Sequence, residues 1–310
     1  MKAMGLKKCL TSHMQRVSSQ GGIALVITLM IVTLITAMVV EFAYGVYVNT
    51  NALHNWQISQ ELSLTARSAT RLASKLITAP VGFRDSLMRD LYTSPGLTLS
   101  QKIPFKDVEG TITLRIEDET AKFNLNALRY RNGTDNNNAY NVFVRLLEAL
   151  NMNTDIANMV CFWMNSSTGH RPREAGSGRS KNTYLDSVDE LLMIPGIDLE
   201  SYRRLQPYVT IYGSGDGTLS INLNTADVPV LMSLSDNISK QLAERIISYR
   251  PLTSINAVPG FENPGSIPLG ILVAYNSSVF HVAATAESGG IKRIVESVLQ
   301  GGTVLYWKEM

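Results

Sequence analysis

The chain has 310 residues, 28 Lys and Arg against 26 Asp and Glu, and two cysteines. The near-neutral balance excludes a large basic surface for nucleic acid, and two cysteines exclude a disulfide framework. The length has room for two or three modest domains.

The N-terminus is the exception to the charge balance. Lys2, Lys7, Lys8 and Arg16 precede an apolar run, and no acid appears before Glu41. The run is Ile23 to Val40, entered through Gly21-Gly22, with neither charge nor Pro. As a helix it spans about 27 Å, enough for a bilayer core. A secretory signal peptide is the competing reading. However, the run exceeds the usual signal core, and no small-x-small site closes it. Basic residues are retained on the cytoplasmic side. This predicts an N-terminus inside and residues after about 45 outside, in the periplasm of a bacterial envelope. No Pro follows until Pro80, and Leu62, Ala66, Ala69, Ala73 and Leu76 fall at steps of four and three. The spacing predicts one long helix whose second half packs on a soluble domain.

Residues 80–110 read as a connecting region. In it, RDSLMRDLY forms a short helix through Leu87 and Leu91, and SPGL (94–97) forms a turn. GTITLRIED (110–118) then alternates, with Ile112, Leu114 and Ile116 on one side, as a half-buried strand does. Helices and polar loops follow from 126 to about 270. RNGTDNNN (131–138) is a loop. Val142, Leu146, Leu147 and Leu150 share a helical face. TDIANMVCFWM is a second helix, capped by Asn153 or Thr154. NSSTGHRPREAGSGRSKN (165–182) is a surface loop. Asp186 or Ser187 caps a short helix that Pro195-Gly196 stops. The end of the chain reads as strand, Gly289-Gly290, strand, Gly301-Gly302, strand. One strand therefore precedes the helical block and three follow it. The expected fold is α+β: a long N-terminal transmembrane and amphipathic helix on a small antiparallel sheet, with a large inserted all-α domain. The expected divisions are a leader 1–22, a membrane helix 23–40, a body 41–125, the insert 126–272 and closing strands 273–310.

A basic leader, a junction Gly, an apolar helix and an amphipathic continuation resemble the start of type IV pilin-like proteins. IEDETAKFNLNAL (116–128), LDSVDELLMIPGI (185–197), INLNTADVPVLMSL (221–234) and the closing FHVAATAESGGIKRIVESVLQ…VLYWKEM resemble general secretion pathway protein K, the large minor pseudopilin of type II secretion. The resemblance covers most of the chain after the leader. It implies cleavage by a prepilin peptidase after Gly22, leaving Ile23 first; a cut after Gly21 is the alternative. It implies a pilin-like body carrying an inserted α-domain. The partners it implies are I-like and J-like minor pseudopilins, the major pseudopilin, the peptidase and the inner-membrane secretion platform. Pilin-like proteins carry Glu at the fifth mature position, where it pairs with a neighbour's ammonium terminus. Here that position is Ile27 (Val26 under the other cut). A subunit without this carboxylate fits the filament tip, where it has no neighbour to neutralise on that side.

A rival reading rests on N-x-N-T-A followed by A-x-x-I-I-x-Y-R, which resembles helix-hairpin-helix modules. It makes the chain a membrane-anchored DNA-binding protein of a competence system. IPGI and VPGF lack the second Gly of such turns and stand among few cations. No enzyme motif is present: His13, His54, His170 and His281 are scattered, and H-E-x-x-H, G-x-S-x-G and C-x-x-C are absent. GSGDGT (213–218) lacks the Lys of a P-loop, and Cys161 sits in an apolar run as a buried thiol would. The reading is a non-enzyme. Some members of the resembled family bind Ca²⁺ in the insert, near a D-W-x-D type segment. The matching stretch here is Phe162-Trp163-Met164-Asn165, without carboxylates. Asn165, Asp135, Asp186 and Asp189 are weak candidates for the ion, and their spacing specifies no site.

Overall fold

The structure, a computed structural model, describes residues 20–79, 89–92, 96–105, 108–170, 172, 180–213, 217–260 and 271–310. Residues 1–19 of the leader, Leu87, Ser94-Pro95, residues 171 and 173–179 of the loop 165–182 and residues 214–216 lie outside these, as do residues 261–270 after the VPG turn. The chain divides into two compact units, Met1–Gln57 and Ile58–Met310.

Helix α1 is Gln20–Ile77, unbroken as the absence of Pro predicts. Its apolar run is exposed throughout, with mean hydropathy 2.9 over its most apolar window. Among the described residues it is the one helix long and apolar enough to cross a membrane. The run's three hydroxyls do not break that surface. Thr28, Thr33 and Thr36 donate to the carbonyls of Leu25, Met30 and Val32 at 2.8, 2.9 and 2.7 Å, so none needs an outside partner in lipid.

In the second unit, β1 (Leu97–Phe105) and β2 (Val108–Asp118) precede the helical block. The block contains β3 (Phe123–Asn124), α2 (Asn137–Ala149), α3 (Asp155–Met164), α4 (Leu199–Leu205) and β4 (Val209–Thr210). It continues with β5 (Leu219–Asn222), α5 (Val228–Ser233), α6 (Lys240–Ser248) and β6 (Ile271–Ala274). β7 (Val279–Ser288), β8 (Ile291–Gln300) and β9 (Thr303–Glu309) close the chain.

One antiparallel sheet, ordered β1-β2-β7-β8-β9, is completed across the block. Its two last hairpins turn on Gly289-Gly290 and Gly301-Gly302, all four at positive φ, the geometry two-residue turns need. Leu62, Ala66, Ala69 and Ala73 of α1 bury against Leu114, Ile116, Val282, Ala284, Ala286 and Val295. Alanines on both surfaces let helix and sheet approach closely. The stripe ends on buried Ile77, with Leu76 only half-buried, because the next step of four from Ala73 is 77. Glu309 of β9 also ties the sheet to the helix. It accepts from Ser63, and from Arg67 at 2.6 Å. Those hydrogen bonds, Ser63's first, hold its carboxyl below the usual range.

The sheet corrects one expectation. Residues 97–105, expected as connection, form β1, which pairs with β2 over nine positions. An edge strand with Leu99 exposed and Pro104 within it carries no clean alternation to read. Two strands therefore precede the block. In the connecting region, residues 89–92 are helical and Leu91 is buried.

The block has its own core. Phe123 and Phe143 stack at 5.0 Å, surrounded by Leu146, Leu147, Ile156, Val160, Leu191, Leu231 and Ile246. It is not all-α: β3 pairs with β4 and β5 with β6, both in parallel. Two- and four-residue strands are too short for a period of two to show in sequence. The caps follow local chemistry. Asn153 accepts from the Asp155 N–H at 2.9 Å, whereas Thr154 makes no capping bond. Ser187 caps a turn that is 3-10, Val188–Met193, rather than α.

Candidate functional site

The insert joins the sheet at the end of β2. Asp118 is 4% exposed there, and its hydrogen-bond donors are neutral. Its Oδ1 accepts from the Thr120 N–H at 2.9 Å and the Thr120 hydroxyl at 2.5 Å. Its Oδ2 accepts from Asn222 Nδ2 at 2.9 Å and from the hydroxyls of Thr225 and Ser277 at 2.6 Å each. Five neutral donors thus surround one carboxylate, as burial of a charge requires. They come from the start of the insert, from β5 and its exit, and from the approach to β7. The chain leaves the sheet and returns to it at this one side chain.

Beyond the junction, the same arrangement occurs twice. In the first repeat the Asn124 side chain accepts from the Asn126 N–H at 3.0 Å. Asn126 donates to the carbonyls of Leu185 and Ile211 at 3.0 and 3.2 Å, and accepts from the Leu185 N–H at 2.8 Å. In the second repeat, Asn222 accepts from the Asn224 N–H at 3.0 Å. Asn224 donates to the carbonyls of Leu252 and Tyr275 at 2.9 and 2.7 Å, and accepts from the Leu252 N–H at 2.6 Å. Each clamp sits where a parallel ladder ends, at Thr210 and Ala274. Two residues after the clamped leucine a serine caps a 3-10 turn, Ser187 and then Ser254. Each turn leads to a Pro-Gly pair with glycine φ of 94° at Gly196 and 86° at Gly260. The insert is one clamped motif repeated. Its sequence signal is N-L-N at 124–126 and 222–224, with L-x-S…P-G at 185–196 and 252–260. The differing lengths between these pieces hide the repeat from a reading by fixed period.

The second repeat also uses the two arginines of the stretch 243–250 that resembles a helix-hairpin-helix module. Arg250 donates from Nε to the Leu223 carbonyl at 2.8 Å and from its guanidinium to Ala226, and burial pulls its pKa down to about 10. Arg245 donates to the Pro259 carbonyl at 2.9 Å. Both are used inside the repeat, which leaves still fewer cations there to face a phosphate backbone.

Of the four metal candidates, Asp135 and Asn165 come together and Asp186 and Asp189 do not join them. Asp135 accepts from Asn165 Nδ2 at 3.1 Å, the Thr168 hydroxyl at 2.6 Å and the Gly169 N–H at 3.2 Å. Asn165 turns its oxygen away, to the Ser167 N–H at 3.1 Å. The neighbouring carbonyls of Met164 and Asn182 accept from the Arg129 guanidinium at 2.7 and 2.9 Å. Asp186 pairs with Lys181 at 2.7 Å, and Asp189 accepts from the Tyr202 hydroxyl at 2.5 Å. Burial, then Asp189, pushes that phenol up to about 12. Calcium requires six to eight oxygens free to face it. Among the described residues, Asp135 and the Asn165 oxygen face N–H and O–H donors and the other two carboxylates stand apart from them, so these side chains do not by themselves fit the ion. One expected result follows: 1 mM CaCl₂ or EDTA shifts the melting temperature of the purified chain by less than about 1 °C. An ion at a hundred times its Kd would add about 2.7 kcal/mol, so a rise of about 5 °C or more on adding calcium contradicts the assignment.

The other residues singled out from the sequence are simple to place. Gly22, Ile23 and Ile27 lie at the start of α1, with Ile23 and Ile27 60% and 52% exposed. Cys161 is buried in the insert core, and burial raises its thiol to about 12, which keeps it protonated and unreactive.

Two family models match the chain, both described as Type II secretion system (T2SS), protein K, over residues 121–214 and 221–271. The boundary between the matches falls between the two clamped repeats. The chain is 25% identical to Type II secretion system protein K of Pseudomonas aeruginosa, over 91% of this chain and 89% of that one. It is 26% identical to the protein of that name from Pectobacterium carotovorum, over 81% of each. Its fold is similar to a chain of the GspK-GspI-GspJ complex from the enterotoxigenic Escherichia coli Type 2 Secretion System. That match has a TM-score of 0.58 and 17% identity, and covers 84% of this chain and 99% of the other.

Proposed function

We propose that the chain belongs to the type II secretion system protein K family and is a minor pseudopilin seated at the pseudopilus tip. The observation that carries this is the pair of family matches on the two clamped repeats, hung from a sheet packed on a single long apolar-headed helix. A prepilin peptidase cuts after Gly22, and Ile23 becomes the mature terminus. Ile23 to Val40 anchors the chain in the inner membrane and later joins the helical bundle of the filament, with the second unit in the periplasm. There it assembles with I-like and J-like minor pseudopilins and primes filament growth. The bulky insert blocks further subunits from adding above it. Its part in export of folded proteins is structural rather than enzymatic.

Ile27 tests the tip placement. The apolar run has no carboxylate with which to serve a neighbour's terminus, and at the tip none is needed. A Glu at 27 brings a charge into the bundle that has no partner there, at about 2.5–3.5 kcal/mol, or a factor of roughly 100 in occupancy. Ile27→Glu is therefore expected to cut secretion at least tenfold at an unchanged level of processed chain. Wild-type secretion by this variant at equal abundance would remove the support for a tip position.

A further inference from the structure

The two clamped repeats differ in residues the clamp does not need. Between the capping serine and the Pro-Gly turn, the second repeat has four residues (255–258) and the first has seven (188–194). Counted back from the Pro-Gly pair, Leu191–Ile194 match Ile255–Val258, with the first and last buried and the middle two exposed in both, so the three extra residues are 188–190, one additional 3-10 turn. Leu192 and Met193, at the exposed middle positions, are 45% and 68% exposed. Leu199, at the start of α4, is 51% exposed. Three of the insert's four exposed large apolar side chains among the described residues thus lie within eight positions. The second repeat has Asn256 and Ala257 at the matching exposed positions, so the shared motif does not require large apolar side chains there. An apolar knob left in water where the motif does not ask for one points to a partner.

The knob is held firmly. The hydrogen bond from Tyr202 to Asp189 ties the 3-10 turn to α4, and Lys181 bridges Asp186 and Glu190 at 2.7 and 2.8 Å. A surface fixed in advance loses little freedom on binding. Its charge is acidic on balance. Residues 185–200 contain Asp186, Asp189, Glu190, Asp198 and Glu200 and no Lys or Arg. Lys181 and, on α4, Arg203 and Arg204 offset part of this and leave the surface acidic on balance, with Arg204 donating to the carbonyls of Leu150 and Asn151. An acidic rim disfavours an anionic membrane and nucleic acid. A second copy would present the same acids to itself.

We propose that Leu192, Met193 and Leu199 form a docking knob for a protein segment that presents apolar side chains flanked by Lys or Arg. The inference rests on the secretion role proposed above, and the experiment separates the two. In the native host, the full chain carrying Leu192→Ser with Met193→Ser replaces the wild type. Secreted protein is expected to fall at least tenfold, with the processed chain at its normal level. Glu200→Lys, which adds like charge at the rim, is expected to cut secretion about threefold or more. A photo-cross-linking amino acid at position 193 of the full chain is expected to give an adduct that maps to a segment of net positive charge and weakens in the Glu200→Lys background. Normal secretion by the double Ser variant overturns the proposal, as does an adduct mapping to an acidic segment, lipid or a second copy. Normal secretion after deletion of the whole chain would instead overturn the secretion role itself.

Discussion

Replacing Asp118 with Ala is expected to lower the stability of the second unit by about 3–5 kcal/mol, near the upper end for a point substitution. The side chain is buried, and the change leaves five donors on Thr120, Asn222, Thr225 and Ser277 without an acceptor. Each buried polar group left open costs about 1–3 kcal/mol, and water entering the small space recovers part of the sum. In a chain of this size the loss corresponds to a fall of about 10 °C in melting temperature. Asp118→Asn is expected to do little better, because its amide turns N–H groups toward donors. The loss has a location as well as a size. The donors belong to both ends of the insert, so amide exchange is expected to rise first around residues 119–124 and 222–225, before the sheet itself. A change below about 1 kcal/mol would show that the junction is held by packing alone.

The second large effect tests the repeat. Asn224→Leu is expected to destabilise by about 3 kcal/mol. It keeps the volume but removes three hydrogen bonds, to Leu252 and Tyr275, at a residue 1% exposed. Asn126→Leu removes the matching three from the first repeat and is expected to cost about 2 kcal/mol, because that side chain is only half-buried and water replaces part of what is lost. The two sites share no partner, so the double variant should lose close to the sum. Urea unfolding of the four proteins checks all of this. A neutral Asn224→Leu would mean that the matching geometry of the two repeats has no energetic weight.

Legible in the sequence is whatever recurs over a long enough window. The stripe through Leu62, Ala66, Ala69 and Ala73 and the alternation of Ile112, Leu114 and Ile116 predict the helix and an inner strand that meet in the sheet's core. Paired glycines locate the last two hairpins. Elements without a one-sided environment stay hidden. β1 is an edge, and the parallel ladders are two and four residues long. The junction is visible only as a motif: Asp118, Asn124, Asn126, Asn222 and Asn224 can be quoted, but hydrogen bonds spanning up to 159 positions cannot. Calcium shows the converse. Asp135 and Asn165 do meet, yet the direction of their donors, which decides the chemistry, depends on Ser167, Thr168, Gly169 and the distant Arg129.

That this chain is a pseudopilin is tested most directly by the processing of its N-terminus. The full chain is coexpressed with an active prepilin peptidase, or with none, and its intact mass is measured. The expected result is a peptidase-dependent species lacking residues 1–22 and beginning at Ile23. An unshifted mass beside an active peptidase, verified on a known substrate, would contradict it.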